Sequence, residues 1–184
     1  MNLHHLKIDG SWTLFLDRDG VINRRIVDDY VKSWEQFEFL PGVPDAMQRF
    51  RRVFGRIIVV SNQQGVGKGL MSENDVVSVH TQMMAETERA GGRIDAVFFS
   101  PHLRSEHSIM RKPNIGMALK ARKSFPGIRF KQSVMAGDSL SDMIFGKRAG
   151  MITVLISDHA DLAKKHPRLI DYVLPDLISL ADAI

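Results

Sequence analysis

Six short apolar runs recur along this chain, at 13–17, 56–61, 96–100, 133–137, 152–156 and 171–174, and several have unbroken cores such as IIVV, VFF and ITVLI. Continuous apolar runs of that length suit strands buried on both faces, whereas a sheet with one wet face would alternate. Segments with helical spacing lie between the runs, at about 43–53, 73–90, 115–124 and 141–149. Ser72-x-x-Asp75 resembles a capping box with Asp in place of the usual Glu, Val76, Val79 and Met83 follow at helical spacing, and Gly91 can end the helix. Strand alternating with helix means an α/β fold with a mainly parallel sheet, and ligands in such sheets bind outside the carboxyl ends of the strands. Asp17, Ser61 and Asp138 stand at or just past the ends of apolar runs.

At 184 residues, with 44% hydrophobic and 25% charged residues, the chain fits one soluble globular domain spanning 1–184. No apolar run approaches the roughly 20 residues that span a bilayer. The first residues lack the basic start and apolar stretch of a signal peptide, so a cytoplasmic protein is the default expectation, with a monomer slightly favoured. With no cysteine, disulfides, thiolate zinc sites and cysteine nucleophiles are excluded. The net charge of +4 suits a small anionic substrate, and no basic run is dense enough to argue for nucleic acid.

The stretch LFLDRDGVIN carries a buried run into two aspartates. Residues two apart on an extended chain point the same way, so Asp17 and Asp19 can face one cavity while Arg18 points elsewhere, and Gly20 permits a tight turn. Close carboxylates at a buried strand end repel and are costly unless something there wants negative charge, most simply a metal ion. A calcium loop would need further oxygen ligands at alternate positions, where Val21 and Arg25 stand instead. In SNQQGVGKG a Walker phosphate loop fails, because Asn62 stands where Gly is needed and Gly69 where Ser or Thr is needed. Taken alone, Ser61 reads as a turn residue, the Arg111–Lys112 pair as a solvated surface pair, and Asp142 as a helix cap.

The four segments together, D-x-D, a strand-end Ser, a Lys before Pro113 and G-D-x-x-x-D, resemble the motifs of the haloacid dehalogenase superfamily of phosphotransferases, in the same order. FLDRDGVIN, YVKSWEQFEFLPGV, SNQQGVGKGLMS and RKPNIGM are more closely similar to the D-glycero-D-manno-heptose 1,7-bisphosphate phosphatases and the related histidinol-phosphate phosphatases, over about 13–156. The resemblance implies a Rossmann-like three-layer α/β/α sandwich without a large cap domain. It implies Asp17 as the nucleophile that forms an aspartyl-phosphate, Asp19 as general acid and base, and Lys112 as the cation offsetting the phosphoryl oxygens. Ser61, Asn62 and Arg111 would bind substrate. Magnesium would be held by Asp17, Asp138 and the Asp19 backbone carbonyl, with Asp142 helping through a water or by orienting Lys112. The expected activity is a magnesium-dependent phosphomonoesterase on a small phosphorylated sugar, foremost heptose 1,7-bisphosphate. The alternatives are a histidinol-phosphate phosphatase, a polynucleotide 3′-phosphatase and a non-catalytic phosphate-binding protein. Many of these relatives carry a zinc loop of Cys-x-His and Cys-x-Cys elements. Here Ser100, Ser108 and Met110 stand where cysteines would, and only His102 remains, so zinc is not expected.

Overall fold

All six apolar runs form strands, and every neighbouring pair is parallel. The structure is a computed structural model that describes residues 3–184. Its order is β1 (Thr13–Leu16), α1 (Val43–Val53), β2 (Arg56–Asn62), α2 (Gln64–Gly67), α3 (Glu73–Arg89), β3 (Ala96–Ser100), α4 (Gly116–Ser124), β4 (Ser133–Gly137), α5 (Leu140–Ala149), β5 (Ile152–Ile156), α6 (Asp161–Lys165), β6 (Tyr172–Leu174) and α7 (Leu177–Ala183). The sheet runs β3-β2-β1-β4-β5-β6, the doubly wound order.

The two-residue period of the strands sorts their side chains into two cores. Leu14, Leu16, Ile57, Val59, Val134 and Ala136 face the side covered by α1 and α7, through Phe50, Leu177 and Leu180. Phe15, Ile58, Val60 and Met135 face the other side, where Met117, Ala118 and Ala121 of α4 and Phe145 of α5 meet them. Helices on both faces make the expected three layers. Among the described residues no large cap is inserted: the connection from β1 to α1 folds on its own aromatic cluster, with Trp34 stacked on Phe37 at 4.7 Å and Phe37 edge-on to Phe39 at 4.9 Å between ring centroids.

Element boundaries differ from the sequence reading by about one residue at β1, β2, β6, α3, α4 and α5, as frayed ends do. The Ser72 capping box forms in both directions: Ser72 Oγ accepts from the Asp75 N–H at 3.1 Å, and Asp75 Oδ2 accepts from the Ser72 N–H at 2.8 Å. Three helices escaped the sequence reading. With four and five residues, α2 and α6 are too short to show a period. The seven-residue α7 is capped by Asp176, which accepts from the Ser179 N–H at 2.7 Å.

Phe15 is fully buried between the sheet and α4–α5. Truncating it leaves a cavity as well as removing transfer free energy, so Phe15→Ala should cost about 3–5 kcal/mol in urea denaturation.

Candidate active site

The strand order reverses between β1 and β4, and the carboxyl ends of these two strands frame a crevice there. Asp17 follows β1 directly and stays in the ladder, its N–H donating to the Ala136 carbonyl at 3.0 Å. Asp138 follows β4. Glycine is required at two places beside them. Gly20 has φ +89°, and a Cβ there would lie 2.1 Å from Asp138 Oδ2. At Gly137 a Cβ would lie 2.3 Å from the Asp142 Cβ, so only glycine lets α5 start this close to the strand.

Lys112 is 2% exposed, yet its ammonium is fully satisfied. It donates to Asp17 Oδ1 at 2.8 Å, Asp142 Oδ1 at 2.5 Å and the Val60 carbonyl at 2.8 Å, tying together the ends of β1 and β2 and the start of α5. Burial alone would make this lysine easier to deprotonate, but the two carboxylates outweigh it and hold its pKa above the ordinary value. The Lys112 backbone is fixed by Asn62, whose Oδ1 accepts from the Lys112 N–H at 2.9 Å and whose Nδ2 donates to its carbonyl at 3.1 Å. The Asn62 amide is therefore engaged in holding Lys112, although the residue also lines the cleft. The Lys112–Pro113 peptide bond is cis.

Asp17, Asp138 and Asp142 each bring a carboxylate oxygen within 4.8 Å of the others. Two unit charges at that distance repel by roughly 3 kcal/mol at an effective dielectric near 20. Burial, and then repulsion from Asp142, push the Asp17 carboxyl up to about 7. Burial also pushes Asp138 up, to about 6, against the pull of Arg25. The Lys112 ammonium and the Arg25 guanidinium on Asp138 together do not balance three acids, so the group suits a divalent cation. Asp142 is already occupied, since its Oδ2 accepts from Ser139 N–H at 3.1 Å and Ser139 Oγ at 2.5 Å while Oδ1 holds Lys112. That leaves Asp17 and Asp138 as the carboxylates open to a cation. The Asp19 carbonyl lies beside them: Arg25 Nη2 reaches it at 3.1 Å and Asp138 Oδ1 at 3.0 Å, so one nitrogen touches both oxygens. These are hard oxygen donors, as magnesium and calcium require.

Asp19 shares the cleft with Asp17, but Arg18 does not simply point away. It is fully buried and turns back onto Asp19 Oδ1 through Nε at 3.2 Å and Nη2 at 2.8 Å. Asn23 Nδ2 donates to the same oxygen at 3.0 Å, and Gln63 Nε2 donates to Oδ2 at 2.8 Å and to Ser61 Oγ at 2.7 Å. Burial works against ionisation, yet Arg18, Asn23 and Gln63 together hold the Asp19 carboxyl below its ordinary range. The cleft has a volume of about 450 Å³ and is lined by Asp17, Asp19, Ser61, Asn62, Arg111 and Lys112, with Arg25, Lys68 and Tyr30 on its rim. Six of the site residues singled out from the sequence thus line one opening, whereas Asp138 lines a neighbouring one with Gly20 and Val21. Asp138 and Asp142 connect to the first opening through their contacts with Arg25 and Lys112.

Sequence reasoning missed Arg18, Asn23, Arg25, Gln63 and His80. His80 carried a signal: it falls on the buried stripe of α3 with Val76, Val79 and Met83, where a polar residue needs a partner. At the positions of the absent zinc cysteines, Ser100 Oγ lies 3.1 Å from His102 Nδ1, and Ser108 Oγ accepts from the Met110 N–H at 3.2 Å.

A family model described as HAD-hydrolase-like matches residues 109–180. The chain is 46% identical over 133 residues to the D-glycero-alpha-D-manno-heptose-1,7-bisphosphate 7-phosphatase of Mycobacterium bovis, covering 72% of this chain and 70% of that protein. It is 37% identical over 147 residues to the D-glycero-beta-D-manno-heptose-1,7-bisphosphate 7-phosphatase of Rhodopseudomonas palustris, covering 74% and 78%. Among solved structures, the D,D-heptose 1,7-bisphosphate phosphatase from B. bronchiseptica, complexed with magnesium and phosphate, matches with a TM-score of 0.84 at 28% identity, over 93% of this chain and 96% of that one. Strand order, strand-end acids and buried lysine agree with these similarities, and the chain belongs to the heptose 1,7-bisphosphate 7-phosphatase family of haloacid dehalogenase-like hydrolases.

Proposed function

We propose that this protein is a magnesium-dependent phosphomonoesterase that removes one phosphate from a heptose 1,7-bisphosphate through an aspartyl-phosphate on Asp17. The observation that carries this reading is the convergence of Asp17, Lys112 and Asp138 at the β1/β4 crevice. The relative at 46% identity is named for the alpha anomer and the one at 37% for the beta anomer, which favours the alpha sugar. The whole chain acts as one catalytic domain, a reading supported by its single six-stranded sheet.

Lys112 engages Asp17 through Oδ1, which leaves Oδ2 as the attacking oxygen. The Asp17 Oδ2–phosphorus bond forms as the bond from phosphorus to the sugar oxygen breaks, and Asp19 gives the leaving oxygen a proton. Asp19 then takes a proton from water, the water oxygen bonds to phosphorus, and the bond to Asp17 breaks to release phosphate. Approach of a phosphate dianion raises the proton affinity of Asp19 when the proton is needed. Ser61 Oγ holds a phosphoryl oxygen, the charge of the Lys112 ammonium offsets the phosphoryl oxygens, and Asn62 keeps Lys112 in place. Magnesium, bound by Asp17, Asp138 and the Asp19 carbonyl, would neutralise the charge that gathers on the phosphoryl group. Arg111, Lys68 and Arg25, which line the cleft together with Asp28 and Asp29, are the cations available to the second phosphate of a bisphosphate. Zinc has no part in this reading: the 100–110 segment is tied by its own hydrogen bonds and by Asn114 Nδ2 donating to the Ser108 carbonyl at 3.1 Å. Among the described residues no helix is long and apolar enough to cross a membrane.

A kinetic comparison of heptose 1,7-bisphosphate with histidinol phosphate tests the substrate. We expect kcat/KM to favour the bisphosphate by at least about 100-fold, and a preference for histidinol phosphate overturns the assignment. Asp17→Asn should abolish turnover of both.

Asp19→Asn should lower kcat by about 100-fold or more while magnesium affinity by calorimetry stays near wild type, because the ligand is the backbone carbonyl. A parallel loss of affinity contradicts that role.

The raised carboxyls of Asp17, at about 7, and Asp138, at about 6, also set a pH dependence. The folded protein keeps protons that the unfolded chain has already released, so the contribution of these two groups to stability is full below about pH 4 and is lost as pH rises through those values. In chelator, this contribution should lower Tm between about pH 4 and about pH 7, and the rise in Tm on adding magnesium should grow over the same window.

A further inference from the structure

Arg18 is the largest fully buried side chain and lies between the two aspartates of the motif. A buried guanidinium needs partners for its whole donor fork. Two of its nitrogens lie on Asp19 Oδ1. The third, Nη1, lies 3.0 Å from Nε2 of His80 on α3. His80 is 5% exposed, and its ring packs edge-on against Phe99 with centroids 5.6 Å apart. Burial, and then the neighbouring guanidinium, push its pKa down to about 3, so the imidazole is neutral and Nε2 carries the lone pair that Arg18 donates to. With Arg18 anchored, Asp19 Oδ1 accepts from Arg18 Nε, Arg18 Nη2 and Asn23 Nδ2, while Oδ2 accepts only from Gln63. Oδ2 is the oxygen left with capacity for a reacting partner.

We propose that His80 is a positioning residue for the acid–base step: it fixes the Arg18 guanidinium at 3.0 Å, and Arg18 in turn fixes the Asp19 carboxylate so that Oδ2 is presented to the leaving oxygen. His80 touches neither substrate nor cation and acts only through Arg18. Its ring contact with Phe99 of β3 makes the sheet the reference against which the carboxylate is oriented. The inference rests on the reading of Asp19 as general acid.

Leaving-group dependence separates positioning from plain structural support. p-Nitrophenolate departs without a proton, whereas a sugar alkoxide needs one from Asp19. The experiment measures kcat/KM on p-nitrophenyl phosphate and on heptose 1,7-bisphosphate for wild type, His80→Leu, His80→Gln and Asp19→Asn, all loaded with magnesium. For His80→Leu we expect the loss on the sugar phosphate to exceed the loss on the aryl phosphate by at least about tenfold. In His80→Gln, whose side-chain oxygen can accept from Nη1, most of that gap should close. If His80→Leu does not fold, His80→Thr, too short to reach Arg18, is read in the same way. Equal losses on both substrates, or no loss, overturn the inference. If Asp19→Asn shows the leaving-group bias and the His80 variants do not, the positioning role alone fails. If Asp19→Asn shows no bias, the acid–base reading fails and takes this inference with it.

Discussion

A single buried ammonium holds the site together. Without Lys112, Asp17 and Asp142 would face each other with no cation between them, and their repulsion would go uncompensated. With it, each acid has a cationic partner at 2.5–2.8 Å, and the third donor position goes to a backbone carbonyl of β2, so the pair is fixed to the sheet and not merely to each other. Breaking a buried network of this kind by removing one partner typically costs several kcal/mol, because the remaining charge is stranded. In the proposed reading the same arrangement lets an anionic nucleophile sit where an anionic phosphoryl group has to arrive.

The fold supplies this geometry through its winding. Reversal of strand order between β1 and β4 leaves their carboxyl ends side by side, and the chain places an aspartate just past each. Close approach of the following segments depends on glycine at 20 and 137, where a Cβ would collide with Asp138 and Asp142. Asn62 at the end of β2 grips the Lys112 backbone from both sides, so three strand ends and one helix start cooperate to place one lysine. The charge balance remains short of neutral even so, and the Asp17–Asp138 side suits a divalent cation.

Much of this was legible in the sequence. Unbroken apolar runs announced buried parallel strands, and polar residues at their ends announced where a site would lie. Asp17 and Asp138 stood out because acids at the ends of apolar runs demand partners, whereas Lys112, which alone reads as a solvated surface residue, stood out only through the resemblance of its motif. Asp142 was readable as an orienter of Lys112, which is its contact in the structure. Other features depend on contacts between segments far apart in the chain. Arg18 was expected to leave the cavity face, but it turns back onto Asp19 and meets His80, 62 positions away, through its third nitrogen. Gln63 reads as an ordinary turn residue until the fold brings it to Asp19 and Ser61. The short α2 and α6 carry no period, and α7 declares itself mainly through the Asp176 cap.

In the proposed reading the catalytic groups are the buried ones, whereas substrate choice falls to the cleft-lining Arg25, Lys68 and Arg111. The decisive measurement is a crystal structure of the protein with magnesium and trifluoroberyllate, which bonds to a carboxylate oxygen as a phosphoryl group does. Beryllium bonded to Asp17, with the Lys112 ammonium still between Asp17 and Asp142, is the predicted result. Beryllium on Asp19 or on another carboxylate, or Lys112 withdrawn from the pocket, would contradict it.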